Sequence, residues 1–307
     1  MKASSAQTHV LEAHAKVNLC LSVQYPPANG YHQLDSVFHE LSLCDTLVCK
    51  HEPLWTQKNV AFTQLGSAIA LACDVEGLAV QDNLIFRALD AVERECGFLV
   101  AAPGSVFSIE VEKHIPAGGG LGGGSSDAAC ALKEYARIAQ IDALDERIVG
   151  VARSLGADVA FFLYGGTALM DERGDHLVRR LPVFKLPIVL MGDAHGMSTA
   201  RIYADFDEHP PAAPDAHELA HVIETCADAQ RIATLCANNL EPAACAQSEK
   251  LAERLRFARE HPCVLNALVT GSGSTSFAIC PDETSARAFA HDIAPLCAWV
   301  ELCLPEK

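Results

Sequence analysis

No run of about 18 apolar residues occurs in the chain, so the sequence offers no membrane-spanning helix. The opening stretch, MKASSAQTHVLEAHAK, has no continuous apolar core and does not read as a secretory signal; a cytoplasmic location is expected. Basic residues are scarce, 23 lysines and arginines against 39 acidic residues, for a net charge of −16. Phosphate neutralisation along a polynucleotide needs cations, so a general nucleic-acid binder is excluded. A phosphorylated small molecule is not, because backbone N–H groups alone can trap it. No lysine follows a glycine, which removes a Walker A loop. The 13 cysteines contain no C-x-x-C, so a disulfide framework is not expected, and no zinc site is expected either. Cys20, Cys130, Cys280 and Cys303 lie in apolar stretches and read as reduced, buried thiols.

Half of the 307 residues are apolar, enough for a sizeable core in one large domain or two ordinary ones. Ala13–Val23 carries apolar residues near a period of two, and 37–48 also reads as extended. Pro26 to Gly30 is a turn by composition. Asp82-Asn83-Leu84 opens a helical pattern, and 106–115 alternates like a strand. Helices are expected over about 127–139, 144–155, 216–237 and 246–260, and strands over 263–270, 275–280 and 297–304. Gly165-Gly166 marks a turn, beyond which prolines become frequent. The mixture gives an α+β or α/β class, read as two domains, 1–165 and 166–307.

The strongest local signal is Pro116-Ala117-Gly118-Gly119-Gly120-Leu121-Gly122-Gly123-Gly124-Ser125-Ser126-Asp127. Six glycines in seven residues cost chain entropy, which makes sense where backbone must approach something closely or take positive φ. A strand precedes the loop and a helix follows, so its N–H groups and the positive helix end converge on one place, worth about 0.3–1 kcal/mol to an anion. Ser125 and Ser126 are expected to cap that helix and to offer hydroxyls to a phosphate or metal. Gly118, Gly120 and Gly123 satisfy G-x-G-x-x-G, but 138–146, where a dinucleotide site wants a strand ending in an acidic residue, reads as a helix and its end. A Rossmann oxidoreductase is therefore a remote alternative.

At this loop the sequence resembles the GHMP kinases, whose ATP loop reads P-x-x-x-G-L-G-S-S-A-A. Further stretches resemble one branch of that family in order and spacing: Ala15-Lys16-Val17-Asn18-Leu19, Gly30-Tyr31-His32, Asp82-Asn83-Leu84-Ile85, Gly156-Ala157-Asp158-Val159 with Phe161-Phe162, Ser198-Thr199 with Tyr203, Asn239-Leu240-Glu241-Pro242 and Thr270-Gly271-Ser272-Gly273-Ser274. Ala160 and Ser274 stand where the family usually has proline, and Asn239 where it has aspartate. The resemblance implies a two-domain α+β GHMP-kinase fold, an ATP-binding N-terminal domain and a smaller α/β substrate domain, with a cleft between them. It implies transfer of the γ-phosphoryl group of ATP, with Mg²⁺, to the 2-hydroxyl of a cytidine diphosphate derivative of methylerythritol, in a monomer or homodimer.

The residue roles follow from the same resemblance. Asp158 is the base that takes the alcohol proton, and Lys16, costly in an apolar strand unless it meets an anion, pairs with Asp158 and with developing charge. Asn18, two residues on, shares a strand face with Lys16 and lies near the acceptor hydroxyl. Tyr31 stacks on the cytosine, His32 bonds its edge, Tyr203 covers the other face and Thr199 lies beside it. Asn83 and Lys113 are adenosine-side contacts, Pro116 to Ser126 hold the phosphates, and Gly271, Ser272 and Gly273 form a second turn beside the acceptor. No protein carboxylate is identified for Mg²⁺. Homoserine- or mevalonate-type kinases, or a non-catalytic descendant, are the remaining alternatives.

Overall fold

The computed structural model describes residues 8–27, 31–73 and 80–305. Ala28, Asn29 and Gly30 of the expected turn, and the opening Met1–Gln7, lie outside the described residues. In chain order the elements are β1 (Thr8–Val23), β2 (Leu34–Pro53), β3 (Val60–Phe62), β4 (Ala68–Cys73), α1 (Leu84–Cys96), β5 (Ser105–Glu112), α2 (Gly123–Ala139), α3 (Glu146–Leu155) and α4 (Ala157–Tyr164). There follow β6 (Thr167–Asp171), β7 (His176–Leu181), β8 (Ile188–Gly192), α5 (Thr199–Glu208), α6 (Ala216–Thr225), α7 (Ala229–Leu235), β9 (Ala237–Asn238), α8 (Glu241–Gln247), α9 (Glu249–Glu260), β10 (Asn266–Val269), β11 (Ser276–Ile279), α10 (Glu283–Ile293) and β12 (Trp299–Cys303). Among the described residues no helix is long and apolar enough to cross a membrane.

The chain divides into two compact units. One comprises Met1–Ala15, Leu43–Ile115 and Gly122–Tyr164, the other Lys16–Ser42, Pro116–Leu121 and Gly165–Lys307. One boundary between the units falls at Tyr164/Gly165, while Lys16–Ser42 and Pro116–Leu121 go with the C-terminal residues. Each long strand, β1 and β2, therefore contributes to both units.

In the first unit β4 runs parallel to β5 and antiparallel to β3, and β5 pairs antiparallel with the second half of β2. The parallel β4–β5 pair requires a crossover, which α1 supplies. Helix α1 starts where the sequence indicates, with Asn83 Oδ1 accepting from the Ile85 N–H at 2.9 Å, and ends at Gly97, whose φ of 70° is glycine's to adopt. Helices α1 to α4 pack on one another, burying Leu89, Val92, Leu132, Tyr135, Ile148 and Phe161.

In the second unit β6 pairs antiparallel with the first half of β2 and with β7, while β9 pairs parallel with the end of β1. A second sheet has the order β10-β11-β8-β12 and is antiparallel throughout. Helices α8, α9 and α10 pack on it around Val189, Met191, Leu255, Ala278 and Phe289.

The expected helix over 216–237 is two helices, because the Asp228 side chain takes the N–H groups of Gln230 and Arg231 and starts α7 afresh. That over 246–260 is likewise divided at Ser248, which caps α9. The residues from Ala15 to Val23 are buried without a break, so the period of two reflects alternating side-chain type and not one wet face. All thirteen cysteines are free thiols, Cys20, Cys130, Cys280 and Cys303 being buried.

Candidate active site

Helix α2 begins at Gly123, four residues before the expected start, and this changes the part played by the serines. Its N-cap is Gly122, and no side chain caps it. Ser125 and Ser126 lie inside the first turn; Ser126 is buried and donates its N–H to the Gly122 carbonyl at 2.9 Å. Helices α1, α3, α6, α7, α9 and α10 are each capped by an Asn, Asp or Ser side chain. Without such a cap, the first-turn donors of α2 are suited to an anion.

The loop glycines have separate reasons. Gly118, Gly120 and Gly122 have φ of 73°, 79° and 76°, which side-chain-bearing residues rarely adopt. Gly119 and Gly120 also lie against the chain: a Cβ on Gly120 would stand 2.8 Å from the Thr270 carbonyl oxygen, and one on Gly119 would strike the Thr275 hydroxyl. Gly124 has neither constraint, since nothing lies within 4 Å of where its Cβ would be. Its smallness keeps open the space before the helix.

Behind this turn, in the same unit, stands a buried charge cluster. The Lys113 ammonium donates to Asp45 Oδ2 and to Asp127 Oδ2, the latter at 2.7 Å. Asp45 Oδ1 accepts the N–H groups of His114 and Ile115 at 2.6 and 2.8 Å, which fixes the chain just after β5. Burial pushes the Asp127 carboxyl up to about 6, with Lys113 opposing the rise. Lys113, expected beside adenosine, is thus engaged by two carboxylates, and Asn83 by its capping bond. Asp158 is the second residue of α4, half-buried; the helix opens on the Gly156 carbonyl, which accepts from Val159 at 3.1 Å, so Asp158 is not its cap. A carboxylate in a first turn is stabilised by the helix end.

In the second unit Lys16 is 3% exposed and donates to Asn18 Oδ1 at 3.0 Å, as two residues on one strand face allow. Its ammonium also lies 5.1 Å from the centroid of the Phe38 ring. Asn18 is held in turn: its Nδ2 donates to Ser36 Oγ at 2.9 Å, Ser36 Oγ donates to the Cys20 carbonyl at 2.7 Å, and the Asn18 N–H reaches Thr270 Oγ1 at 3.2 Å. The Lys16 N–H donates to the Leu121 carbonyl at 3.0 Å, tying β1 to the glycine loop. Gly271 and Gly273 take positive φ in the turn after β10, and Asn238 Nδ2 donates to the Gly271 carbonyl at 2.8 Å.

The residues expected at the cytidine also lie in this unit. Tyr31 is 65% exposed, with the Arg173 guanidinium 6.0 Å from its ring centroid. His32 packs on Tyr203 with centroids 5.2 Å apart and edge-on to Phe206 at 5.7 Å. Both its ring nitrogens face chain groups: Nδ1 lies 2.9 Å from the Gln24 carbonyl and Nε2 lies 3.1 Å from Asp207 Oδ1. Thr199 Oγ1 and Ser272 Oγ are 2.8 Å apart, joining the start of α5 to the second glycine turn. Sequence reasoning missed Asp45, Asp127, Ser36, Thr270 and Asp207. Asp127, directly after the serines, carried a local signal; the others are set by pairings across long stretches of chain.

The chain matches the family description "GHMP kinases N terminal domain" over residues 83–166 and "GHMP kinases C terminal" over 222–295. It is 34% identical over 282 residues to a 4-diphosphocytidyl-2-C-methyl-D-erythritol kinase of Pelotomaculum thermopropionicum, covering 91% of each chain. It is 32% identical to one of Rhodococcus jostii, covering 93% of this chain and 88% of that one. A crystal structure of 4-(cytidine 5'-diphospho)-2C-methyl-D-erythritol kinase superposes with a TM-score of 0.71 at 28% identity, over 97% of this chain and 100% of that chain. A mevalonate kinase of L. major, at 16% identity and a TM-score of 0.70 over 99% of this chain and 98% of that one, shares the fold. With the glycine loop, the uncapped α2 and the relatives in agreement, the chain belongs to the GHMP kinase family, within its 4-diphosphocytidyl-2-C-methyl-D-erythritol kinase branch.

Proposed function

We propose that the chain transfers the γ-phosphoryl group of ATP to the 2-hydroxyl of 4-diphosphocytidyl-2-C-methyl-D-erythritol, giving the 2-phosphate and ADP, a step of the non-mevalonate route to isopentenyl diphosphate. The observation that carries phosphoryl transfer is the uncapped start of α2, with open space at Gly124. The acceptor is the one named by the relatives. This reading keeps the domains at 1–165 and 166–307, with a cytoplasmic monomer or homodimer.

Bound ATP with Mg²⁺ supplies the phosphoryl group and neutralises part of its charge. The chain's own residues do the rest. Loop and first-turn N–H groups from Gly118 to Ser125 would orient the phosphates, and the hydroxyls of Ser125 and Ser126 would hold the metal. Asn83 and Lys113 lie on the adenosine side. Asp158 accepts the proton of the 2-hydroxyl, a role worth about 10²–10⁴-fold. Lys16, buried and aimed by Asn18, supplies fixed positive charge for the transferring group. Tyr31 and Tyr203 stack on the cytosine, at about 1–3 kcal/mol per base. Because both imidazole nitrogens of His32 are engaged, its main-chain N–H and C=O read the base edge. Thr199 and the turn Gly271-Ser272-Gly273 border the acceptor.

The test is coupled ADP release with ATP–Mg²⁺ and three acceptors: the cytidine substrate, mevalonate and homoserine. Turnover with the cytidine substrate alone is expected. Turnover with another acceptor discards the roles of Tyr31, His32 and Tyr203. ATP binding without any turnover discards the enzyme reading.

A further inference from the structure

Arg254, on α9, has no exposed surface, and its guanidinium is directed at one junction. Nε donates to Ser276 Oγ at 2.9 Å, Nη2 donates to the Ser274 carbonyl at 2.9 Å, and Nη1 lies 3.0 Å from Asp193 Oδ2. Ser274 and Ser276 leave the second glycine turn, and Asp193 opens the segment from β8 to α5. Two more bonds join the same strands of chain: Ser274 Oγ donates to the His195 carbonyl at 2.9 Å, and Thr199 Oγ1 lies 2.8 Å from Ser272 Oγ. The front of the phosphate loop abuts this segment as well, for a Cβ on Gly196 would stand 2.6 Å from the Gly118 carbonyl oxygen.

Stability alone does not call for an arginine here, because buried ion pairs are commonly replaced by apolar side chains of like volume without loss. An apolar side chain cannot hold two hydrogen bonds and an ion pair in fixed directions at once, which a planar guanidinium does. We propose that Arg254 is a positioning residue: it locks the Gly271–Ser274 turn to the 193–199 segment and so sets where Thr199 and Tyr203 stand relative to that turn. The inference rests on the proposed reading of these residues as the acceptor side.

The experiment compares the parent, Ser274→Ala, Arg254→Met and the double variant, with kcat and KM measured for each substrate per folded molecule. The chain has two tryptophans, and the Trp299 indole fills the space a Gly192 side chain would need, beside Asp193. Acrylamide quenching of Trp299 in a Trp55→Phe background therefore reads the junction without any substrate.

We expect kcat/KM for the cytidine acceptor to fall about tenfold in Arg254→Met. In Ser274→Ala the fall is about threefold, with KM for ATP held within about twofold in both. The double variant loses less than the product of the singles, since both bonds serve one junction, and quenching rises in Arg254→Met. Unchanged acceptor constants, equal losses for both substrates, or strictly multiplicative losses overturn the proposal. If Arg254→Met does not fold, Ser276→Ala, which removes the side chain that accepts from Arg254 Nε, decides in the same terms. A parent that fails to use the cytidine acceptor sinks the proposed acceptor instead, and the quenching comparison then decides the junction alone.

Discussion

Gly124→Ala separates what the glycine loop does for the fold from what it does for a ligand. Gly124 lies in the first turn of α2, its φ is not in the left-handed region, and its Cβ position meets nothing within 4 Å. Adding a methyl group therefore carries no clash and no strain. It removes part of glycine's unfolded-state freedom and improves helix propensity, so the variant gains about 0.5–1 kcal/mol of stability. The same methyl group enters the space where the phosphates are proposed to approach the backbone, and KM for ATP rises about tenfold, or about 1.4 kcal/mol. Gly120→Ala is the control with the opposite expectation. Its φ is 79° and the new Cβ meets the Thr270 carbonyl oxygen at 2.8 Å, so it loses about 2 kcal/mol or more through strain and displacement. Thermal unfolding and steady-state kinetics on both variants complete the test. A Gly124→Ala enzyme that is more stable and keeps its KM for ATP refutes the phosphate site at α2. One that is less stable refutes the open geometry.

Asp158→Asn lowers kcat by about 10²–10⁴-fold, with KM for ATP nearly unchanged, in single-turnover and steady-state assays; a variant with parental kcat removes Asp158 as the base. Asp127 is pushed up to about 6 by burial, so between about pH 4 and 6 the folded chain keeps a proton that the unfolded chain has lost, and stability falls as pH rises through that window. Asp127→Asn removes that slope: urea unfolding finds it more stable than the parent at pH 7.5, by on the order of 1 kcal/mol, and the advantage is gone at about pH 4.5. His39 works in the opposite direction. Burial pushes it down to about 4, its Nδ1 lies 2.9 Å from Thr167 Oγ1, and the unfolded chain takes up a proton first as pH falls below about 6.5. Stability from His39 is lost between about pH 6.5 and 4, and His39→Gln flattens the acid limb of the unfolding curve there.

The elements that sequence reading recovered are those whose signals lie within a dozen residues. The Asn83 cap, the alternating strand before the glycine loop and the paired turn at Gly165-Gly166 each act over one or two turns of chain. Helices α4, α5 and α10 were missed for different reasons. Helix α4 is buried on nearly every side, so it shows no amphipathic period. Helix α5 lies among prolines that suggest loop, and α10 starts at the Asp282 cap and buries only Ala286, Phe289 and Ile293. The site divides the same way. Lys16 and Asn18 reveal their shared face through spacing of two, and the glycines announce a close approach. What the glycines approach, the Thr270 carbonyl and the Thr275 hydroxyl, follows from a pairing that no local pattern encodes. The same holds for the charge cluster, where Asp45 meets Lys113 across 68 residues.

The second unit is drawn from three separate stretches of the chain, and this has a consequence for synthesis. The end of β1 pairs with β9, Cys20 opposite Ala237, and the Asn18 N–H waits for a hydroxyl 252 residues later. At about 5–20 residues per second, that partner leaves the ribosome some 10–50 s after the strand itself. Throughout that interval an apolar strand, Leu19-Cys20-Leu21-Ser22-Val23, emerges without its eventual neighbour, the kind of edge on which nascent chains associate. The lysine two residues before Asn18 is then more than a catalytic candidate: within the buried stretch from Ala15 to Val23 it is the one charge that opposes sticking until the last third of the protein arrives.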